Sequence, residues 1–175
     1  ALFETQTPLA ICDRVHGDLN PRNMLMDAAE NVSVIDFSTF GEGPLCKDFA
    51  RIEIETIGKL LEPPGPVEQH GAFLASLLDG DLVASAERMT RLPLKAPYDV
   101  TAQVVAAVRT TLAGYHRTLG SGYDGQRAYL VALAGTCVRM ALFSQYLSPV
   151  QQAAALLYTG LCLTQLTEDR SAGGR

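Results

Sequence analysis

The stretch VHGDLNPRNMLMD (Val15–Asp27), followed after a short polar link by VSVIDF (Val32–Phe37), decides our interpretation of this chain. The apolar runs MLM and VSVI on either side of the link are typical of a β-hairpin. A hairpin would bring Asn23, just before its first strand, beside Asp36, just after its second. The stretch therefore predicts that two oxygen-bearing side chains lie close together.

The chemistry of these side chains suits a hard cation. Mg²⁺ prefers carboxylate, amide and phosphate oxygens and keeps several of its waters, so Asn23, Asp36 and a nucleotide would together complete its shell. Asp18 lies on the loop that leads into the same strand, and Pro21 stiffens that loop. We therefore expect Asp18 to face a reacting hydroxyl group rather than the metal.

The motif HGDLNPRN (His16–Asn23), together with IDF (Ile35–Phe37), resembles the catalytic loop and metal-binding motif of the kinase-like phosphotransferases, in the branch of aminoglycoside phosphotransferases and choline-type kinases. The resemblance implies transfer of the ATP γ-phosphoryl group to a hydroxyl of a small molecule. In that reaction Asp18 is the catalytic carboxylate, and Asn23 and Asp36 bind Mg²⁺ and, through it, ATP.

The resemblance also implies two residues that support the catalytic loop. His16 corresponds to a structural hydrogen-bonding residue, and Asp48 corresponds to an aspartate that opens a helix and braces the loop. Gly17 and Asn20 stand where protein kinases carry Arg and Lys. Only eleven residues separate Asp36 from Asp48, too few for a platform that holds a peptide. A small-molecule hydroxyl acceptor is therefore expected.

The fold implied by the resemblance is mainly α with a small β-hairpin, the C-terminal (large) lobe of the protein-kinase-like fold. We expect a single domain, 1–175, in which residues 1–44 carry the catalytic loop and the metal-binding hairpin and residues 45–170 form a helical subdomain. One departure is Ser38, which stands where a Gly often follows the Asp-Phe pair and restricts the backbone. Apolar periodicity and breaker residues predict helices near 48–61, 67–79, 81–92, 99–119, 124–147 and 149–167.

The N-terminal nucleotide-binding lobe of such an enzyme is not expected in this chain. Fifteen residues precede the catalytic motif, too few for a phosphate-covering loop and its Lys, and the chain begins with Ala1 rather than Met. We therefore expect a piece of a larger protein, with the missing lobe or an adjoining domain as its partner. The isolated chain is expected to be nearly inactive.

Composition excludes several other classes. The chain has 175 residues, 47% of them hydrophobic, and a net charge of −5 with no basic run, which argues against nucleic acid or an anionic membrane as a partner. No signal peptide is expected, because the first residues include an acid and lack a basic run, and Arg139 interrupts the most apolar stretch. The four cysteines have no metal-site spacing and are expected to be buried free thiols of a cytoplasmic protein. They are Cys12, Cys46, Cys137 and Cys162.

Two alternatives stay open. In the first alternative, the chain is a kinase-derived, pseudokinase-like binding or adaptor module of a larger bacterial multidomain protein. A metal-dependent hydrolase built from His16, Asp18 and Asp36 ranks last, because it needs more ligands than the sequence offers nearby. Glu53 and Glu55, which follow Asp48 on the same predicted helix, are expected to be exposed.

Overall fold

The computed structural model describes residues 10–60, 67–120, 124–143 and 147–173. Within these ranges the chain is mainly helical, as the sequence predicts, and has two small antiparallel sheets. None of the described helices is long and apolar enough to cross a membrane. The strands are β1 (Ile11–Val15), β2 (Met24–Met26), β3 (Val32–Val34) and β4 (Gly41–Pro44). The helices are α1 (Cys46–Leu60), α2 (Val67–Leu77), α3 (Leu82–Thr90), α4 (Tyr98–His116), α5 (Gly125–Phe143) and α6 (Pro149–Gly173).

The predicted hairpin is confirmed. Strands β2 and β3 pair antiparallel, with Met24 opposite Val34. Asp27 closes the turn, because its carboxylate accepts hydrogen bonds from the backbone of Ala29 at 2.8 Å and from the backbone and side chain of Asn31, both at 2.9 Å. The Asn31 side chain is the main reason that the pKa of Asp27 is lowered. Every residue of both strands is exposed, so this hairpin stands on the surface.

A second sheet was not predicted from the sequence. Strand β4 pairs antiparallel with β1, and Gly43 lies opposite Cys12. A Cβ atom at Gly43 would lie 2.6 Å from Cγ2 of Val15, so the two strands approach each other at a glycine. Gly and Pro are depleted in strands, so the composition of GEGP does not indicate a strand. This sheet joins the two ends of the segment that carries the hairpin.

The helices follow the sequence prediction closely. Helix α1 begins two residues before its predicted start, and α5 begins one residue after its predicted start. Asp81 caps α3 through the backbone N–H groups of Val83 and Ala84, and Asp124 accepts from Arg127 N at the start of α5. The predicted break at Pro63–Pro66 lies outside the described residues.

The expectation that Glu53 and Glu55 are exposed is wrong. Their side chains face inward from α1, and the relative exposure of Glu53 is 0%. Arg109 of α4, itself 1% exposed, donates from Nε to Glu53 Oε2 at 3.0 Å and from Nη2 to Oε1 at 2.7 Å. A paired, bidentate carboxylate can be buried at far lower cost than an isolated one.

This buried ion pair links most of the helical subdomain. Tyr129 of α5 donates to Glu53 Oε2 at 2.8 Å, and Tyr158 of α6 donates to Oε1 at 2.9 Å. Arg109 Nη1 donates to the carbonyl oxygens of Leu77 and Leu82 at the α2–α3 corner. Burial alone would lower the pKa of Arg109, but Glu53 and Tyr158 outweigh it and raise that pKa. The network therefore fixes α1, on which the loop rests, against the rest of the bundle.

Candidate functional site

The HGDLNPRN loop is attached to the first turn of α1 by one carboxylate. Asp48 accepts backbone hydrogen bonds from His16 N at 2.7 Å, Gly17 N at 2.9 Å and Leu19 N at 3.3 Å. Its side chain is buried, and its place near the N-terminal end of α1 favours a negative charge. Asp48 therefore sets the position of the loop relative to the helical bundle.

The N-terminal half of the loop depends on a glycine. Gly17 has a φ of +84°, and a Cβ atom there would lie 2.5 Å from the carbonyl oxygen of Thr39. The Thr39 hydroxyl donates to the backbone carbonyl of His16 at 2.8 Å. His16 is buried, and its Nε2 donates to the carbonyl of Ile35 at 2.9 Å. The loop is thus bonded to the segment that follows β3.

The side chains of two asparagines bind the backbone carbonyl of Asp18. Nδ2 of Asn20 and Nδ2 of Asn23 each lie 3.0 Å from the backbone carbonyl oxygen of Asp18. The backbone carbonyl of Asn23 in turn accepts from Ile35 N at 2.9 Å, at the open end of the hairpin. These bonds connect the backbone of Asp18 through Asn23 to Ile35, the residue that precedes Asp36. Because Nδ2 of Asn23 donates to Asp18, Oδ1 of Asn23 is the side-chain atom suited to bind a cation.

Asp36 has an unusual backbone conformation. Its φ is +60° and its ψ is +66°, in the left-handed region that non-glycine residues seldom occupy. The Ser38 hydroxyl donates to Asp36 Oδ1 at 2.7 Å. Such conformations persist where the surrounding structure imposes them, and they concentrate at functional sites. Ser38 therefore orients the carboxylate as well as restricting the backbone.

The Asp18 side chain faces α1. Arg51 Nη2 lies 3.6 Å from Asp18 Oδ1 and 2.8 Å from Glu55 Oε1, so the guanidinium bridges the loop and the helix. Arg22 Nη2 lies 4.0 Å from the other Glu55 oxygen, and its side chain is mostly exposed. Glu55 thus serves as the buried anion that holds a cation beside Asp18.

A cleft opens beside Asp18, between the loop, the start of α1 and one face of α5. Its volume is about 200 Å³, below the roughly 300–1,000 Å³ typical of pockets for drug-sized ligands. It therefore has room for a small metabolite. The lining residues are Gly17, Asp18, Pro44, Lys47, Arg51, Val131, Ala132, Gly135, Thr136 and Arg139.

The donor set at the hairpin end is a minimal one for a metal. In the part of the chain that the structure describes, no three His, Cys, Asp or Glu side chains form a group able to hold a metal ion by themselves. Asn23 and Asp36 offer two hard oxygen donors, which fits Mg²⁺ when phosphate oxygens and water complete its shell. His16 is a poor ligand, because its Nε2 is already bonded to Ile35.

Sequence reasoning missed the cations of the cleft. Lys47 and Arg51 are four residues apart on α1, followed four residues later by Glu55, so all three lie on one helix face. That spacing was visible in the sequence. The contribution of Arg139 was not, because α5 reaches the cleft only through tertiary packing.

The fold and this site define a mainly helical domain with a hydrogen-bonded, oxygen-rich loop at one edge. The chain belongs to the ternary complex associated domain 9 family, whose model matches residues 2–134. The assignment to the aminoglycoside phosphotransferase and choline kinase family is therefore wrong: a short motif was shared, whereas the family match spans most of the chain. No curated protein and no solved structure matches the chain significantly.

Proposed function

We propose that this domain carries the catalytic loop of a Mg²⁺- and ATP-dependent phosphotransferase that acts on a hydroxyl of a small molecule. Asp18 orients and deprotonates the hydroxyl, Asn23 and Asp36 bind the metal–nucleotide, and His16 and Asp48 hold the loop. The observation that carries the proposal is the paired use of Asn23, whose side chain bonds Asp18 while its backbone bonds the residue before Asp36. Asn23 would then connect the base to the end of the hairpin that carries the second metal ligand.

The proposed function also implies a more specific identity for the fold. We infer that the two small sheets and the helical bundle correspond to the large lobe of a kinase-like fold. The remaining nucleotide contacts would then come from outside residues 10–173. The buried cysteines Cys46, Cys137 and Cys162 suit a reducing compartment, so a cytoplasmic location is part of this proposal.

The proposed reaction is a direct transfer of the γ-phosphoryl group from ATP to the acceptor hydroxyl. The acceptor oxygen attacks the γ-phosphorus of ATP, the bond from that phosphorus to the β,γ-bridging oxygen breaks, and ADP leaves with the bonding electrons. The proton of the acceptor hydroxyl passes to a carboxylate oxygen of Asp18. Mg²⁺, when bound, neutralises charge on the phosphates. The protein contributes chiefly position and fixed charge, which accounts for most of the rate enhancement in such transfers.

Phosphoryl transfer by the full-length gene product tests this function. We expect Asp18→Asn to lower kcat by about 10²–10⁴-fold with little change in nucleotide affinity, because the general base is lost while the metal ligands remain. Asp79→Asn is the matched control, since that exposed carboxylate pairs with the exposed Arg88. Equal turnover by the wild type and Asp18→Asn would refute the assignment.

A second candidate is a binding or adaptor module. Two observations favour it: the family is named for association with ternary complexes, and the hairpin exposes apolar side chains. Met26 is 71% exposed, Val32, opposite it in the hairpin, is 57% exposed, and Leu25 is 51% exposed. Exposed apolar patches of this kind mark interaction surfaces.

The two candidates differ in which substitution matters. If the hairpin is an assembly surface, Met26→Lys will reduce the molecular mass of the full-length gene product measured by light scattering, and Asp36→Asn will not. If the domain is the enzyme proposed above, Asp36→Asn abolishes transfer. An assembly state that is the same in Met26→Lys and wild type removes the support for the adaptor.

A further inference from the structure

The cleft beside Asp18 has the opposite charge from the chain as a whole. The chain carries a net charge of −5, whereas the cleft is lined by Lys47, Arg51 and Arg139 against the single carboxylate of Asp18. Clefts lined by one sign of charge concentrate ligands of the other sign. Three cations around so small a volume are therefore informative about its ligand.

Two of these cations form no ion pair within the part of the chain that the structure describes. Arg51 is already held by Asp18 and Glu55. Lys47 and Arg139 form no ion pair with any residue that the structure describes. The cleft also borders Pro44 and Lys47, on either side of the residue that begins α1, so the positive end of the helix dipole adds to the same field.

The wall of the cleft that α5 forms carries one charged residue, Arg139, and is open one turn earlier on the helix. Gly135 of α5 is exposed, and a Cβ atom added there would have nothing within 4 Å. Thr136, next to it, supplies a hydroxyl at the same wall. A bound molecule can therefore lie along α5, with one end at Asp18 and the other at the unpaired cations.

We infer that the acceptor is a small alcohol that also carries an anionic group, a carboxylate or a phosphate monoester. This inference rests on the function proposed above. The hydroxyl lies at Asp18 and is phosphorylated from ATP, with loss of its proton to Asp18 and release of ADP. The anionic group is bound by Lys47 and Arg139. A cationic acceptor such as an amino sugar would be repelled by the same residues.

Binding of four probes to the protein without nucleotide tests the charge preference. Glycerate and glycerol 3-phosphate share a vicinal diol with glycerol and 3-amino-1,2-propanediol, and the first two differ in the anionic group. We expect only the anionic probes to shift the amide resonances of Gly17, Gly135 and Thr136, and to bind more weakly as salt is added. The stronger of the two anionic probes identifies the group. Equal shifts with the neutral or cationic probe, or no shifts with either anion, would overturn the inference.

Two substitutions locate the binding site. Arg139→Gln is expected to weaken the bound anion about tenfold, while Arg91→Gln, an exposed cation at the end of α3, leaves its affinity unchanged. Gly135→Phe is expected to fill the cleft and block binding, whereas Gly160→Phe, at an equally open position on α6, has no effect. Unchanged affinity in both Arg139→Gln and Gly135→Phe would contradict this site.

Measurements of turnover distinguish the inferred charge of the acceptor from the proposed phosphotransferase function. If the full-length gene product phosphorylates neutral or cationic alcohols in preference to anionic ones, the inference fails and the phosphotransferase function stands. If the anionic probes bind in the cleft and no phosphoryl group is transferred to them, the function fails, although the cleft still selects anions.

Discussion

A carboxylate oxygen of Asp48 lies 2.7 Å from the backbone nitrogen of His16, thirty-two residues earlier in the chain. This contact and its two neighbours join the loop that carries Asp18 to the helix that carries Arg51. The geometry at Asp18 therefore depends on one buried side chain that would take no part in the chemistry.

Replacing that side chain should loosen the loop. We expect Asp48→Ala to lower the free energy of unfolding by about 3 kcal/mol, because buried N–H groups lose a charged acceptor. Hydrogen exchange at the amides of His16 and Gly17 should accelerate in the same variant. Asp99→Asn, which alters a first-turn acid of α4 remote from the loop, is the control. Unchanged exchange at these two amides in Asp48→Ala would contradict the role given to Asp48.

Two glycines allow backbone strain to be separated from close contact. Gly17 and Gly80 have nearly the same φ, +84° and +82°, but only at Gly17 would a Cβ atom meet another group. Gly80→Ala should cost about 1 kcal/mol from the left-handed conformation alone. Gly17→Ala should cost clearly more, because the Cβ atom also collides with Thr39. Urea denaturation of both variants measures the difference, and equal losses would show that the contact with Thr39 is unimportant.

The buried ion pair should dominate the stability of the helical subdomain. Arg109→Met leaves Glu53 charged and buried without its partner, and we expect a loss of about 3–5 kcal/mol. Arg88→Met breaks only the exposed pair with Asp79 and should cost less than about 1 kcal/mol. Chemical denaturation compares them. Similar losses in the two variants would mean that burial adds nothing to the effect of Arg109→Met.

The tyrosines of that network predict a loss of stability at high pH. Burial, followed by repulsion from Glu53, raises the pKa values of Tyr129 and Tyr158 well above 10.0. The unfolded chain releases these protons near pH 10 and the folded chain does not, so stability is full below about pH 10 and falls as the pH rises. Thermal melts across this range should show a shallower fall for Tyr129→Phe than for wild type. An identical fall would indicate that Tyr129 ionises normally.

Local patterns predicted the elements near the site, and tertiary partners decided what was missed. The β2–β3 hairpin and the start of α1 follow from apolar spacing and turn residues. Burial of Glu53 did not, because its partner Arg109 is fifty-six residues away and an isolated helix acid is usually exposed. Strand β4 was missed because glycines do not indicate a strand. The reason for Gly43 is the close approach of Val15 from the paired strand, which is visible only in the structure.

The family assignment failed for a related reason. A loop motif such as HGDLNPRN reports the chemistry of a few side chains, and that chemistry can be carried by more than one family. Membership was shown instead by a match over residues 2–134, including helices in which the sequence reasoning found no motif. The roles proposed for Asp18, Asn23 and Asp36 therefore rest on the loop motif and its hydrogen bonds, and not on family membership.

The most direct measurement is paramagnetic resonance of Mn²⁺, used in place of Mg²⁺, titrated with ATP into the full-length gene product. If Asn23 and Asp36 hold one cation, the protein-bound Mn²⁺–ATP signal will be present in the wild type and in Asp79→Asn, weakened in Asn23→Ala and lost in Asp36→Asn. A bound signal of wild-type strength in Asp36→Asn would show that the carboxylate does not bind the metal, and the proposed site would be wrong.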